Sequence, residues 1–117
     1  MKVVNENSLD QIRRFCRIHT KDAAGYLFML DWMKARGYVW EGGNQIEEKK
    51  DCRLLNHYVE KGLVIYLQRG KQFSLHLLPA AAFHDPEKLE KEADYTLELS
   101  PRVDKEYKNK VFPYMNY

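Results

Sequence analysis

The segment Phe15–Gly43, FCRIHTKDAAGYLFMLDWMKARGYVWEGG, decides the fold. It reads as a strand, a helix, a glycine stop, an aromatic strand and a diglycine turn. Phe15, Arg17 and His19 alternate with Cys16 and Ile18, which is the two-residue period of a strand. Thr20 is a good N-cap, and Asp22 adds negative charge where the macrodipole favours it. A helix is therefore expected over about Lys21–Arg36. Lys34 and Arg36 place positive charge at its end, and Gly37 suits a left-handed C′ stop. Tyr38-Val39-Trp40 then reads as a strand closed by Gly42-Gly43.

The helix is apolar on two sides. At about 100° per residue, Ala23, Tyr26, Leu27, Leu30 and Met33 share the side expected to face the core. Phe28, Trp32 and Ala35 fall opposite, with Ala24 beside them. One stripe needs one partner, so a second stripe needs a second.

Working outward, residues 2–5 fit a short edge strand. Ser8 and Gln11 form a capping-box pattern, and Leu9 and Ile12 support a short helix over about 9–14. Downstream, residues 44–53 are polar, Leu54–Val59 fits helix or strand, and Gly62 is a break. Leu63, Ile65 and Leu67, then Phe73, Leu75 and Leu77, alternate with other residues around the turn Arg69-Gly70. This is a β-hairpin with one core face, ended by Pro79. Asp85-Pro86 is an N-cap followed by proline at the first helical position. The helix EKLEKEA after it is short and solvated, with Glu87 and Lys91 spaced i,i+4. Tyr95, Leu97 and Leu99 alternate as a last strand, and Ser100-Pro101 opens RVDKEYKNKVFPYMNY, basic and aromatic with no evident period. The expected fold is α+β: a mostly antiparallel sheet of four to five strands packed on one major helix, with a short amino-terminal helix and a short solvated helix. Residues 1–100 are expected to form a single α+β domain and residues 101–117 a basic-aromatic C-terminal tail.

At 117 residues, with 44% apolar and 13% aromatic content, the chain can bury a real core and global disorder is excluded. Nineteen basic residues against seventeen acidic leave a charge of +2, too small by itself to demand nucleic acid or membrane. No run reaches the roughly 18 apolar residues that span a bilayer, so no membrane partner is expected. MKVVNENSLDQ lacks the apolar core of a signal peptide. A cytoplasmic location and two reduced thiols, Cys16 and Cys52, are therefore the expectation.

Thr20, Asp22, Ala24, Gly37, Tyr38, Trp40, Gly42 and the hairpin from Leu63 form a shared pattern. A Thr-x-(Asp/Glu)-x-Ala helix start leads to Gly-Tyr-x-Trp, a small-residue turn and a hairpin. Over roughly residues 15–78 this resembles a loose group of small bacteriophage and prophage accessory proteins. The resemblance implies an accessory role in the host cytoplasm, since some members look like inhibitors of host defence. It brings no catalytic residues.

Specific chemistry is sparse. Cys16-x-x-His19 has a ligand-like spacing, and Cys52 with His57 would complete a Cys₂His₂ set. Cys16 and His19 nevertheless have opposite strand parity, and no CxxC or HxxxH pair accompanies them. Either cysteine can be drawn with His19, His57, His76 or His84 as a dyad, but nothing selects a pair. Gly42-Gly43 lacks any phosphate-loop context. No catalysis, cofactor or metal is expected.

Basic residues do cluster. Arg13, Arg14, Arg17 and Lys21 lie near the amino terminus, and Arg69 and Lys71 crown the hairpin. Lys105, Lys108 and Lys110 interleave with Tyr107, Phe112 and Tyr114. Such residues hold phosphates and stack bases, but Glu47, Glu48, Glu87, Glu90, Glu92 and Asp94 oppose them. Protein association has more physical support, because Phe28 and Trp32 exposed together would make a patch that soluble monomers avoid. The covering surface would come from the same chain (Val3, Val4, Leu9 and Ile12, or Val111, Phe112 and Tyr114) or from another.

The leading expectation is a non-enzymatic protein-binding module, a phage or mobile-element accessory protein that inhibits a host defence protein such as a CRISPR effector. Phe28, Trp32, Tyr107, Phe112 and Tyr114 would bind the host protein or a second copy in a homodimer. The alternatives are a nucleic-acid-binding factor using Arg13, Arg14, Arg17, Arg69 and Lys71, and an oligomeric sponge for a small nucleotide.

Overall fold

A computed structural model describes residues 2–52 and 63–115, with only the backbone of Ala80, Phe83, Tyr114 and Met115. The stretch Leu54–Val59, the break at Gly62 and His57 lie outside the described residues. The fold is α+β. Strands β1 (Lys2–Val4), β2 (Cys16–His19), β3 (Val39–Trp40), β4 (Leu63–Gln68), β5 (Gln72–Leu77) and β6 (Tyr95–Leu97) form one sheet in the order β1-β6-β2-β4-β5-β3. Helix α1 (Ala23–Ala35) is followed by the single turn α2 (Glu48–Asp51), then α3 (Pro86–Glu92) and α4 (Pro101–Met115).

The sheet is mixed, which corrects the mostly antiparallel, four-to-five-stranded expectation. β2–β4 and β4–β5 are antiparallel, whereas β1–β6, β2–β6 and β3–β5 are parallel. The parallel pairs join strands far apart in the chain, such as Lys2 with Tyr95. Period-two alternation marks a strand but carries no sign of such a partner.

Register explains the burial. Cys16 pairs with Leu67 and Ile18 with Ile65, so these side chains share one side of the sheet and join Tyr26, Leu30 and Met33 of α1 in one buried cluster. Val64, on the other side of β4, is buried with Leu78, Ala82, Leu89 and Ala93, and Tyr66 packs against them. The hairpin therefore has two covered faces where one was expected, because β4 is a central strand with α3 lying over its second side.

Helix α1 starts two residues later than expected. Thr20 does not cap it, because Thr20 still belongs to the sheet: its N–H donates to the Leu63 carbonyl at 3.3 Å. Lys21 turns the chain with φ +68°, and the Asp22 carboxylate accepts from Gly25 N–H at 2.9 Å. The chain enters so closely that a Cβ at position 25 would run into the Thr20 carbonyl oxygen. The end of the helix is as expected. Gly37 has φ +79°, Tyr38 N–H reaches the Met33 carbonyl at 3.0 Å, and Gly37 N–H reaches that of Lys34 at 3.2 Å, a Schellman closure.

The amino-terminal helix shrinks to one 3₁₀ turn, Leu9–Gln11, and Ser8 makes no cap. Asn5 wins the local competition, its Oδ1 accepting from the N–H groups of Asn7 and Ser8 at 2.8 and 3.1 Å. Asp85 caps α3 as expected, accepting from Glu87 and Lys88.

The segment read as a tail is a helix to residue 115. Tyr107 and Val111 are buried in the main cluster and Val103 packs against it, a stripe of one residue in four. The charged residues between, Asp104, Lys105, Glu106, Lys108 and Lys110, hide that period in the sequence. No helix among the described residues is long and apolar enough to cross a membrane.

Candidate functional site

Two regions contain the residues singled out by sequence. The first is the back of α1. Phe28 is half-buried and meets the Tyr107 ring edge-on, centroids 5.2 Å apart. Tyr107 Oη donates to Asp31 Oδ2 at 2.7 Å, which fastens α4 to α1. Burial, and then this acidic partner, push the Tyr107 hydroxyl pKa well up. Asp31 also faces Glu48 of α2. The hydrogen bond to Asp31, burial and the Asp31 charge raise the Glu48 pKa.

Trp32 is half-buried beside Tyr38, 5.9 Å between centroids, and the Arg36 guanidinium lies 4.2 Å above its ring. Asp10 holds Arg36 by contacts of 2.9 Å to Nε and 2.6 Å to Nη2. The chain's own α4 and an Arg36–Asp10 clamp thus sit on the second stripe. Phe112 is different: it is 65% exposed. Tyr114 lies in α4, its side chain outside the described residues.

The second region is the end of the sheet where β2 begins and the β4–β5 hairpin turns. Pairing of Cys16 with Leu67 brings residues 13–15 beside the turn Arg69-Gly70-Lys71. That turn has one residue more than the sequence suggested, since Gln68 pairs with Gln72, and both Gly70 and Lys71 have positive φ, +70° and +53°. Here the five basic residues divide. Arg13 bonds Asp94 at 2.7 Å. Arg17 meets the same carboxylate at 3.5 Å and donates to the Lys91 carbonyl at 2.7 Å. Burial would raise the Asp94 pKa, but the Arg17 N–H, the Arg17 side chain and Arg13 outweigh it and hold it low.

Arg14, Arg69 and Lys71 have no carboxylate partner among the described residues. They line a notch of about 340 Å³ with Phe15, Tyr38 and Gln68. Phe15 is 46% exposed, and the Arg69 guanidinium stands 5.0 Å from its ring centre. Lys71 Nζ donates to the Arg36 carbonyl at the end of α1, 2.8 Å away. A second, shallower depression of about 490 Å³ shares Phe15 and Gln68 and adds Arg17, Tyr66 and Ser74.

No family model, curated protein or solved structure matches this chain. What the arrangement can do follows from its own chemistry. Burial pushes the Cys16 thiol up to about 11 and Cys52 up to about 12, so neither is a ready nucleophile at neutral pH. Burial, then Lys21, lowers His19 to about 4 and keeps it neutral. Cys16 faces the main cluster while His19 pairs with Val64 on the other side of the sheet, as parity predicted. No group of three or more His, Cys, Asp or Glu side chains is placed to hold a metal among the described residues.

Sequence reasoning found the notch's cations but missed Phe15, which it read only as the first residue of a strand. The run Arg-Arg-Phe-Cys-Arg was the available signal: an aromatic beside cations, just outside the pairing region.

Proposed function

We propose that this chain is a non-enzymatic binding module that docks an anionic partner in the basic notch at the hairpin turn. One observation carries the reading. Arg14, Arg69 and Lys71, from two distant segments, converge on the half-exposed ring of Phe15 without a neutralising carboxylate among the described residues. Like charges held together at a turn repel one another, and a bound anion relieves that repulsion. The protonated thiols and neutral His19 support a binding role over nucleophilic catalysis.

The wider role in this proposal is that of a phage or mobile-element accessory protein in the host cytoplasm. It would act as an anti-defence inhibitor, of the anti-CRISPR kind for example, by occupying a host macromolecule. Its support is the strand–helix–Gly-Tyr-x-Trp resemblance.

Elution from an immobilised polyanion tests the notch. The double variant Arg14→Ala/Arg69→Ala should leave heparin at clearly lower salt than the parent chain, with an unchanged circular dichroism spectrum. Equal elution would overturn the reading.

A protein partner, including a second copy of the chain, is the second reading, favoured by Phe112 at 65% exposure on α4. Sedimentation of the parent chain and Phe112→Ser checks the second-copy form. A dimer that Phe112→Ser dissociates supports it, and a monomeric parent removes it.

A further inference from the structure

We infer that the anionic partner is single-stranded nucleic acid, laid from the Arg14–Arg69–Lys71 notch into the adjoining depression with a base stacked at Phe15. The inference rests on the reading of the notch as an anion site and names its ligand. Three observations separate a nucleic-acid strand from a merely acidic surface.

The first is the platform. Phe15 presents a phenyl ring 46% exposed, with the Arg69 guanidinium 5.0 Å from its centre. An acidic peptide uses the guanidinium and gains little from the ring. A nucleobase uses both, because bases stack on aromatic faces and on guanidinium planes alike.

The second is continuity. The notch and the depression share Phe15 and Gln68, so the site is a path and not a single pit. Along it the cations change character. Arg14, Arg69 and Lys71 stand without carboxylates among the described residues at one end, where phosphates would sit. At the other, Arg17 is tied to Asp94, which leaves a near-neutral wall carrying Tyr66 and Ser74, suited to a base and sugar.

The third is Gln68, on the wall common to both. Its Nε2 donates to Ser74 Oγ at 2.8 Å and lies 3.4 Å from Glu41 Oε2. With its Nε2 engaged by both partners, the amide is fixed so that its Oε1 acceptor stands at the point where base edges would pass. Duplex DNA fits poorly, since paired bases cannot reach Phe15.

The test uses the full chain and a short fluorescein-labelled oligothymidylate, followed by anisotropy. Binding should weaken with salt at a logarithmic slope of about 2, the value for roughly three phosphate contacts on a single strand. Phe15→Ala should weaken oligothymidylate binding about tenfold and leave polyglutamate binding unchanged. Phe15→Trp should restore it, with tryptophan fluorescence quenched by the oligonucleotide. Arg14→Ala/Arg69→Ala should lose both ligands. If Phe15→Ala leaves oligothymidylate binding intact, or if polyglutamate or duplex DNA binds as well, the nucleic-acid inference falls while the anion site stands. If Arg14→Ala/Arg69→Ala changes neither ligand, the anion site itself is wrong. Should Phe15→Ala fail to fold, the decision passes to Phe15→Trp: no quenching on addition of oligothymidylate overturns the inference.

Discussion

The back of α1 and the hairpin end look alike in sequence, each a mixture of aromatics and cations, yet the fold treats them oppositely. Behind α1 the groups on the helix's second stripe are matched: Phe28 meets Tyr107, Tyr107 donates to Asp31, and Arg36 lies on Trp32 while bonded to Asp10. At the hairpin end Arg14, Arg69 and Lys71 gather at an exposed Phe15 with no carboxylate among the described residues to neutralise them. Aromatic–cation composition alone therefore does not mark a binding surface. What marks it is which of those groups the chain leaves unmatched. The comparison predicts that substitutions behind α1 cost stability, and that substitutions at the hairpin end cost binding.

The largest effect should come from Tyr107→Ala. It removes a buried ring from the α1–α4 contact and leaves Asp31 without its donor. Truncating a buried aromatic costs about 3–5 kcal/mol, and this ring at the rim of the core should sit near the lower figure. Tyr107→Phe keeps the ring and should cost about 1–2 kcal/mol through the lost charged hydrogen bond. Urea unfolding checks both. A loss below about 1 kcal/mol for Tyr107→Ala would mean that α4 does not close the second stripe in solution and would return Phe28 to the candidate surface.

Next in size is Arg36→Ala. The residue contributes a cation–π contact and a partly exposed ion pair, together about 1 kcal/mol. Asp10→Ala should cost less, because it leaves the guanidinium on the ring. If Arg36→Ala is neutral in the same urea series, Trp32 is covered by something other than this clamp.

How far the sequence announced these two regions depends on the range of the forces involved. Local devices were legible: the Gly37 stop, the Asp85-Pro86 cap and the two hairpin strands are each decided by residues within a few positions. The cap at α1 was misread, because Thr20 is claimed by a sheet bond to Leu63, 43 positions along the numbering, and Asp22 takes its place. The parallel pairings were invisible for the same reason. The second stripe of α1 was legible as a question but not as an answer. Its cover, Val103, Tyr107 and Val111, is a stripe only one residue wide, set among lysines, Asp104 and Glu106. At the hairpin end the cations were named in advance, whereas the part played by Phe15 depends on the β2–β4 register that sets Arg69 beside it.

A smaller effect sharpens the closed side. Glu48 has a raised pKa, chiefly through its hydrogen bond to Asp31, so the folded state favours its protonated form. The stability this supplies is fully present below the unfolded pKa, near 4.5, and is lost as pH rises through the folded value. Glu48→Gln removes the like charge at neutral pH. Since Glu48 is only half-buried, solvent screens the repulsion, and the gain at pH 7 should be about 0.3 kcal/mol. The variant should also show a flatter stability profile above pH 4.5 than the parent. A decrease in stability at pH 7 would show that ionised Glu48 makes a favourable contact the carboxyl pair does not explain.

No net stability change is expected of Arg14→Ala/Arg69→Ala, and its absence is the point. Neither guanidinium holds a carboxylate among the described residues, and the contact of Arg69 with Phe15 is an exposed cation–π pair worth about 0.5–1 kcal/mol. Removing two of three clustered cations also relieves repulsion, so the two terms should cancel to within about 0.5 kcal/mol. The same variant should leave heparin at clearly lower salt. Stability and binding then separate at this end of the sheet, whereas behind α1 they cannot, because the rings of Phe28 and Trp32 are already held by Tyr107 and Arg36. A loss of more than about 1 kcal/mol would mean that Arg69 and Phe15 form a structural pair like Arg36 and Trp32. The contrast between the two regions would then disappear.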